Sequence, residues 1–536
     1  MKTATAIVLT IIVSLSTSAQ TSTSKVWVAD NANGTYKNPI LHADYSDPDV
    51  IRVGDDFYLV SSSFDAVPGL PILHSRDLVN WTIIAHALRR QPPYDVFARV
   101  QHGNGAWAPA IRYRDNEFYI YYPDPDRGIY LTKAKSIRGP WSEPALVEAG
   151  AGLIDPCPLW DDDGSAYLVH AYAGTRATIK SILVVKRMNA EGTKVISDPV
   201  LVFDGHDDHP TVEGPKFHKR NGYYYIFAPA GGVTAGWQLA LRSKSVFGPY
   251  EHKVVLHQGT TTINGPHQGA WVTTQRGEDW FVHFQDKGAY GRIVHLQPMA
   301  WKNNWPVMGT DDNGDGNGEP VLTFKKPNVG RTYPIATPQE SDEFNSPHLG
   351  LQWQWQANPD QRWAMTSGRL GYLRMNAVRM PDSAKNLWDV PALLLQKFPA
   401  EKFTATAKVS FKPRFEKDKF GLIVMGMSYA YVAITKKADA LYLTHSTCID
   451  ANKGRAEVEQ TNVKLTESTL YFRISVAEGA ACTFSYSVDG STFTTLPGTF
   501  TAVAGQWIGA KVGMFCSSST LTNDSGYANV DWFRIE

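Results

Sequence analysis

Five side chains able to do chemistry, or to hold a ligand for it, stand at a nearly constant distance ahead of a recurring aromatic strand. Asp47, Trp107, Asp155, Glu213 and His267 precede Tyr58, Tyr119, Tyr167, Tyr224 and Trp280 by 11, 12, 12, 11 and 13 residues. A single Asp-Pro pair such as Asp47-Pro48 or Asp155-Pro156 reads as an ordinary Asx turn. Acids repeated in phase read differently. Isolated carboxylates are costly to bury, so three of them at equivalent places of a repeat predict a polar pocket and not a core. Three acids beside an indole suit cleavage of a glycosidic bond. One carboxyl must carry a proton for the leaving oxygen, a second must be ionised to activate water or to attack carbon, and the ring face of a tryptophan matches the apolar face of a sugar.

The elements that must position these residues follow from the same repeat. GDDFYLV from Gly54, RDNEFYIYY from Arg114, DDDGSAYLV from Asp161, RNGYYYIFA from Arg220 and RGEDWFVHF from Arg276 are each a polar turn followed by an aromatic-rich strand, spaced 61, 48, 57 and 56 residues apart. Units of that length hold four short antiparallel strands, and such sheets set radially make a propeller whose innermost strands meet at one axis. A solenoid has shorter and more regular units. The predicted fold class is all-β, a five-bladed β-propeller over residues 37–326 followed by a linker at 327–340 and a β-sandwich of the jelly-roll kind over 341–536. The last part is read from alternating strands such as FTATAKVSF and LYFRISV.

Composition narrows the function classes. Lys and Arg total 52 and Asp and Glu total 52, and only 19% of residues are charged, with 24 Tyr, 23 Phe and 16 Trp. A nucleic-acid partner calls for a basic excess and a disordered chain for a large net charge of one sign, and neither is present. Lys2, the apolar run Ala6 to Leu15 and the small residues ending at Ala19 predict a secretory signal peptide over residues 1–19, too short to be a membrane anchor, with an N-terminal extension at 20–36. The mature chain is therefore expected to be secreted or periplasmic, with no membrane partner. Cys157, Cys448, Cys482 and Cys516 lack metal or redox spacing and read as buried thiols.

NPILHADYSDPDVIRVGDDFYLVSSSF from Asn38, GAWAPAIRY from Gly105, LIDPCPLWDDDG from Leu153, TVEGPKFHKRNGYYYI from Thr211 and GRIVHLQPMAW from Gly291 resemble, in order, the motifs of glycoside hydrolase family 43. The part from Asp342 onward resembles the concanavalin A-like C-terminal domain of its β-xylosidase and arabinofuranosidase branch. The resemblance implies an inverting hydrolase with Asp47 as general base, Glu213 as general acid and Asp155 as the acid that orients Glu213 and raises its pKa. It also implies that Arg292 reaches sugar hydroxyls and that Trp107 is a sugar platform. At the position of His267, some family members hold a hydrated calcium or other cation on the axis, whereas others use the histidine only to hydrogen-bond the acids; no cofactor is otherwise implied. The implied substrates are oligosaccharides or polysaccharides of the arabinoxylan, arabinan or xyloglucan type. Terminal α-L-arabinofuranosyl or β-D-xylosyl units would be removed, and the GPHQGAWV and DGHDDHPTVEGP segments favour arabinose. An endo-acting arabinanase and a non-catalytic glycan-binding propeller are the alternatives, the latter having no use for three acids in phase.

Overall fold

The computed structural model describes residues 23–536, so the signal peptide expected at 1–19 lies outside the described residues. Five separate four-stranded antiparallel sheets form the blades of a propeller, each with its strands in chain order. Their first strands are Asp49–Val53, Ala110–Arg114, Leu153–Trp160, Lys216–Arg220 and His267–Thr273, and these pack against one another around the axis. The five repeated aromatics sit in the second strands. The turns entering those strands contain residues with positive φ, such as Asp115-Asn116 and Asn221-Gly222, as tight hairpins between right-twisted strands require.

Where the innermost strands begin, the backbone is irregular in a way that serves the axis. Asp47 and Asp155 both have a φ of 55°, a left-handed conformation that Asp tolerates better than most residues. The strand pairing of blade three skips between Ile154 and Cys157, and that of blade five skips between His267 and Gly269. Asp155 and Gln268 thus sit in β-bulges, which re-aim a side chain out of the alternation of its strand.

The C-terminal domain is a sandwich of two eight-stranded sheets. Strands Phe403–Lys412 and Thr469–Ala477 alternate so that Ala405, Ala407, Val409, Leu470, Phe472 and Ile474 face the core, opposite Phe420, Leu422, Val424 and Val432 of the other sheet. Tyr290 and Ile293 of the propeller belong to the same buried cluster, so the two domains share apolar interior. All four cysteines are free and buried. No helix among the described residues is long and apolar enough to cross a membrane.

Candidate active site

A cavity of about 110 Å³ opens at the propeller axis, lined by Asp47, Phe64, Trp107, Ala108, Ile154, Asp155, Glu213, Gln268, Arg292 and Trp507. Five of the six residues singled out in the sequence meet there. Asp47 is surrounded by donors: the hydroxyls of Ser46 and Ser62 donate to its Oδ2 at 2.8 and 2.5 Å, and Arg292 Nη1 lies 3.2 Å from its Oδ1. Arg292 also donates to Ser46 Oγ at 2.8 Å, and its guanidinium covers the Phe284 ring at 5.0 Å.

Asp155 and Glu213 form the second half of the site. The Gly214 N–H donates to Asp155 Oδ2 at 2.7 Å, and Gly214 has a φ of 57°. A β-carbon there would stand 2.7 Å from Gln268 Cγ, so glycine is what lets the segment carrying Glu213 close on Asp155. Burial pushes the Glu213 carboxyl well above the usual carboxylate range, reinforced by the charges of Asp155 and Asp47 and opposed by Arg292. Asp155 is also raised, chiefly by burial, with the Gly214 N–H as the largest opposing influence. Its acid neighbours therefore help keep a proton on Glu213.

Blade five departs from the sequence expectation. His267 is fully buried and does not line the cavity. Its Nε2 lies 3.4 Å from Glu213 Oε1, behind the acid, so it is no direct sugar contact in this arrangement. The bulge turns Gln268 to the axis instead, and its distance to Trp280 is the same 12 residues that separate Asp155 from Tyr167. Burial holds the His267 imidazole neutral, down to about 3. Calcium takes six to eight oxygen ligands. His267 offers nitrogen alone, and among the described residues no group of three or more His, Cys, Asp or Glu side chains could hold a metal ion. Protein side chains alone therefore build no cation cage at His267 among the described residues, and a cation there would have to keep a shell of water, as the resemblance implies for some family members.

Two further wall residues escaped the sequence reading. Phe64 follows the first aromatic strand and meets the Trp107 ring edge-on at 6.3 Å. Trp507 comes from the sandwich, with a φ of 64°, and its ring meets that of Trp107 edge-on at 6.3 Å. Nothing local marked Trp507, because its role depends on a loop four hundred residues downstream of Trp107 reaching over the propeller. That loop is anchored at Gly509, whose N–H donates to Asp44 Oδ2 at 2.8 Å, while Asp44 Oδ1 accepts the Arg292 N–H at 2.9 Å. One carboxylate thus fixes both the sandwich loop and the arginine facing Asp47. On the other side, the Arg176 guanidinium lies 5.5 Å from the Trp107 ring centre.

Comparison with known proteins places both domains in one family. The family model for glycosyl hydrolases family 43 matches residues 36–306, and that for the β-xylosidase C-terminal concanavalin A-like domain matches residues 341–536. A Xylanibacter ruminicola protein with a provisional β-xylosidase name is 39% identical over 91% of this chain and 88% of its own length. A β-xylosidase of Formosa agariphila is 32% identical over 95% of this chain and 91% of its own. The non-reducing end α-L-arabinofuranosidase BoGH43B of Bacteroides ovatus is 28% identical over 95% and 96%. Among solved structures, Bacteroides ovatus xyloglucan PUL GH43B superposes with a TM-score of 0.79 at 27% identity, covering 94% of this chain and 99% of that one. GH43 BlXynB from Bacillus licheniformis gives 0.79 at 25% identity with the same coverage. Matched along both domains, the chain is a glycoside hydrolase and belongs to glycosyl hydrolases family 43.

Proposed function

We propose that the protein is an exo-acting, inverting glycosidase that removes single β-D-xylosyl units from the non-reducing ends of xylan-derived oligosaccharides. The observation that carries this reading is the convergence of Asp47, Asp155, Glu213 and Arg292 in one small cavity narrowed by Trp507. In the proposed step Asp47 takes a proton from water as the water oxygen bonds to the anomeric carbon. The glycosidic bond breaks with its electron pair on the leaving oxygen, which receives the Glu213 proton. Asp155 keeps that proton on Glu213 beforehand, and Arg292 donates to sugar hydroxyls while holding Asp47. No step calls on a metal.

The preference for arabinose expected from the blade-four and blade-five segments has little support among the relatives, which more often carry β-xylosidase names. We therefore place xylose first. Release of α-L-arabinofuranosyl units is the second reading, favoured by the likeness to the Bacteroides ovatus arabinofuranosidase. The small cavity, with a wall supplied by the sandwich, argues against a long endo-acting groove. The apolar run Ala6 to Leu15 supports export; its test is the partition of activity between periplasm, medium and cytoplasm.

Hydrolysis of p-nitrophenyl β-D-xylopyranoside and p-nitrophenyl α-L-arabinofuranoside tests the sugar, with at least tenfold higher kcat/KM expected on the xyloside. Proton NMR of the first sugar released tests the stereochemistry. Initial formation of the β anomer from a β-xyloside would remove Asp47 from its role as base.

A further inference from the structure

Beneath the cavity runs a chain of side chains that the hydrolytic mechanism does not use. Arg112, on the innermost strand of blade two, donates through Nη1 to Asp49 Oδ2 of blade one at 2.7 Å and through Nη2 to Cys157 Sγ of blade three. Asp49 Oδ2 also accepts the Ile111 N–H at 2.8 Å, and Cys157 Sγ accepts the Phe217 N–H of blade four at 3.1 Å. Lys216, fully buried, donates across the axis to the Pro109 carbonyl at 3.3 Å. Each member lies close in sequence to a cavity residue. Asp49 is two residues beyond Asp47, Arg112 five beyond Trp107, Cys157 two beyond Asp155 and Phe217 four beyond Glu213.

The backbone fixes only part of the spacing that this chain spans: Phe64 and Ala106 exchange backbone hydrogen bonds between blades one and two at 2.9 and 3.0 Å, and the Gly152 N–H donates to the Pro125 carbonyl between blades three and two at 2.6 Å. Each blade is its own sheet, and no strand ladder crosses from one of the five blades to the next. Beyond these isolated bridges, the separation between an acid of blade one and an acid of blade four rests on packing and on side chains that bridge blades, as the Asp155 and Cys157 side chains do between blades three and four. In an inverting site that separation decides whether a water fits between base and sugar. A misplacement of about 1 Å costs roughly a hundredfold in rate.

We propose that Arg112 is a positioning residue for the hydrolytic step, setting the distance from Asp47 to Glu213 by tying the innermost strands of blades one, two and three and, through Cys157, blade four. The proposal rests on the reading of Asp47 and Glu213 as base and acid. Arg112 does not line the cavity. A guanidinium suits the task because its planar fork donates in two fixed directions, which a lysine cannot do. The Cys157 sulfur serves as an acceptor for two N–H groups.

The test compares Arg112→Met, Cys157→Ala and Cys157→Ser with the wild type on the chromogenic pentosides. Circular dichroism gives the folded fraction, and calorimetric titration with D-xylose and L-arabinose gives product affinity. Arg112→Met is expected to lose about a hundredfold in kcat per folded molecule and Cys157→Ala about tenfold, with product affinity changed less than threefold. Cys157→Ser, whose hydroxyl can accept the same two donors, should stay within threefold of wild type. If Arg112→Met does not fold, the alanine and serine variants at Cys157 decide. Wild-type kcat per folded molecule in Cys157→Ala and Arg112→Met, or equal losses in Cys157→Ser and Cys157→Ala, overturns the proposal. A wild type that cleaves no pentoside, or an active Glu213→Gln, overturns the acid–base reading itself, whatever the Arg112 variants do.

Discussion

At the scale of single residues, the site separates three carboxyl groups by surroundings. Asp47 meets donors, whereas Glu213 is desolvated and faces two other acids, so its carboxyl is the one suited to carry a proton at neutral pH. Glu213→Gln should lower kcat on unactivated xylobiose by about a thousandfold or more while leaving sugar binding in place, measured by steady-state kinetics and calorimetric titration. The alkaline limb of the kcat/KM profile should reflect loss of the Glu213 proton. Asp155→Asn removes a negative charge that raises Glu213, so that limb should move to lower pH; an unmoved limb would show that Asp155 does not set the proton affinity of Glu213. Stability has the opposite sign from activity. A carboxyl whose pKa is raised on folding costs stability once the pH exceeds its unfolded value, so Glu213→Gln should melt at a higher temperature than wild type at pH 7 to 8.

At the scale of elements, bulges and tight approaches deliver side chains to the axis. Gly291 has a φ of 74°, and a β-carbon on it would lie 2.6 Å from Asp44 Cγ and 2.7 Å from the Gly509 nitrogen. Gly291→Ala should cost about 1–3 kcal/mol in chemical denaturation and should lower activity as well, because the next residue is Arg292. The loop bearing Trp507 makes a different prediction. Trp507→Ala removes one of the two indoles that meet edge-on at the cavity, and kcat/KM on xylobiose should fall by about fivefold, with a smaller effect on free xylose binding. The bulge at Gln268 explains why the blade-five position was legible only to within one residue. A repeat offset in sequence counts residues, while a bulge decides which of two successive side chains faces the axis.

At the scale of the whole molecule, the two domains are joined by more than a linker. Val67 and Trp355 exchange backbone hydrogen bonds at 3.0 and 2.6 Å, Tyr290 Oη accepts the Ala480 N–H at 2.8 Å, and Tyr290 and Ile293 lie in the sandwich core. A propeller ending at residue 340 would expose that interface and lose Trp507, so it should express poorly and lack activity even when refolded. Calorimetry of the whole chain should show one cooperative transition. Treatment with EDTA should leave kcat/KM within twofold, since no cage of protein ligands surrounds His267 among the described residues; loss reversed by calcium would put a water-coordinated ion there. Much of this molecule was written in its sequence. The in-phase aromatics specify blades because hairpin turns and alternating strands are local, and the DP and EGP segments mark the acids because their backbone conformations are local too. The sequence by itself determined the five-bladed class, the sandwich and the three acids. Only the tertiary structure decided that Gln268 takes the place expected for His267, that Trp507 closes the pocket from another domain, and that Arg112 and Cys157 bridge the blades beneath it. Those depend on which distant surfaces meet when the sheets pack, and spacing along a chain carries no record of that.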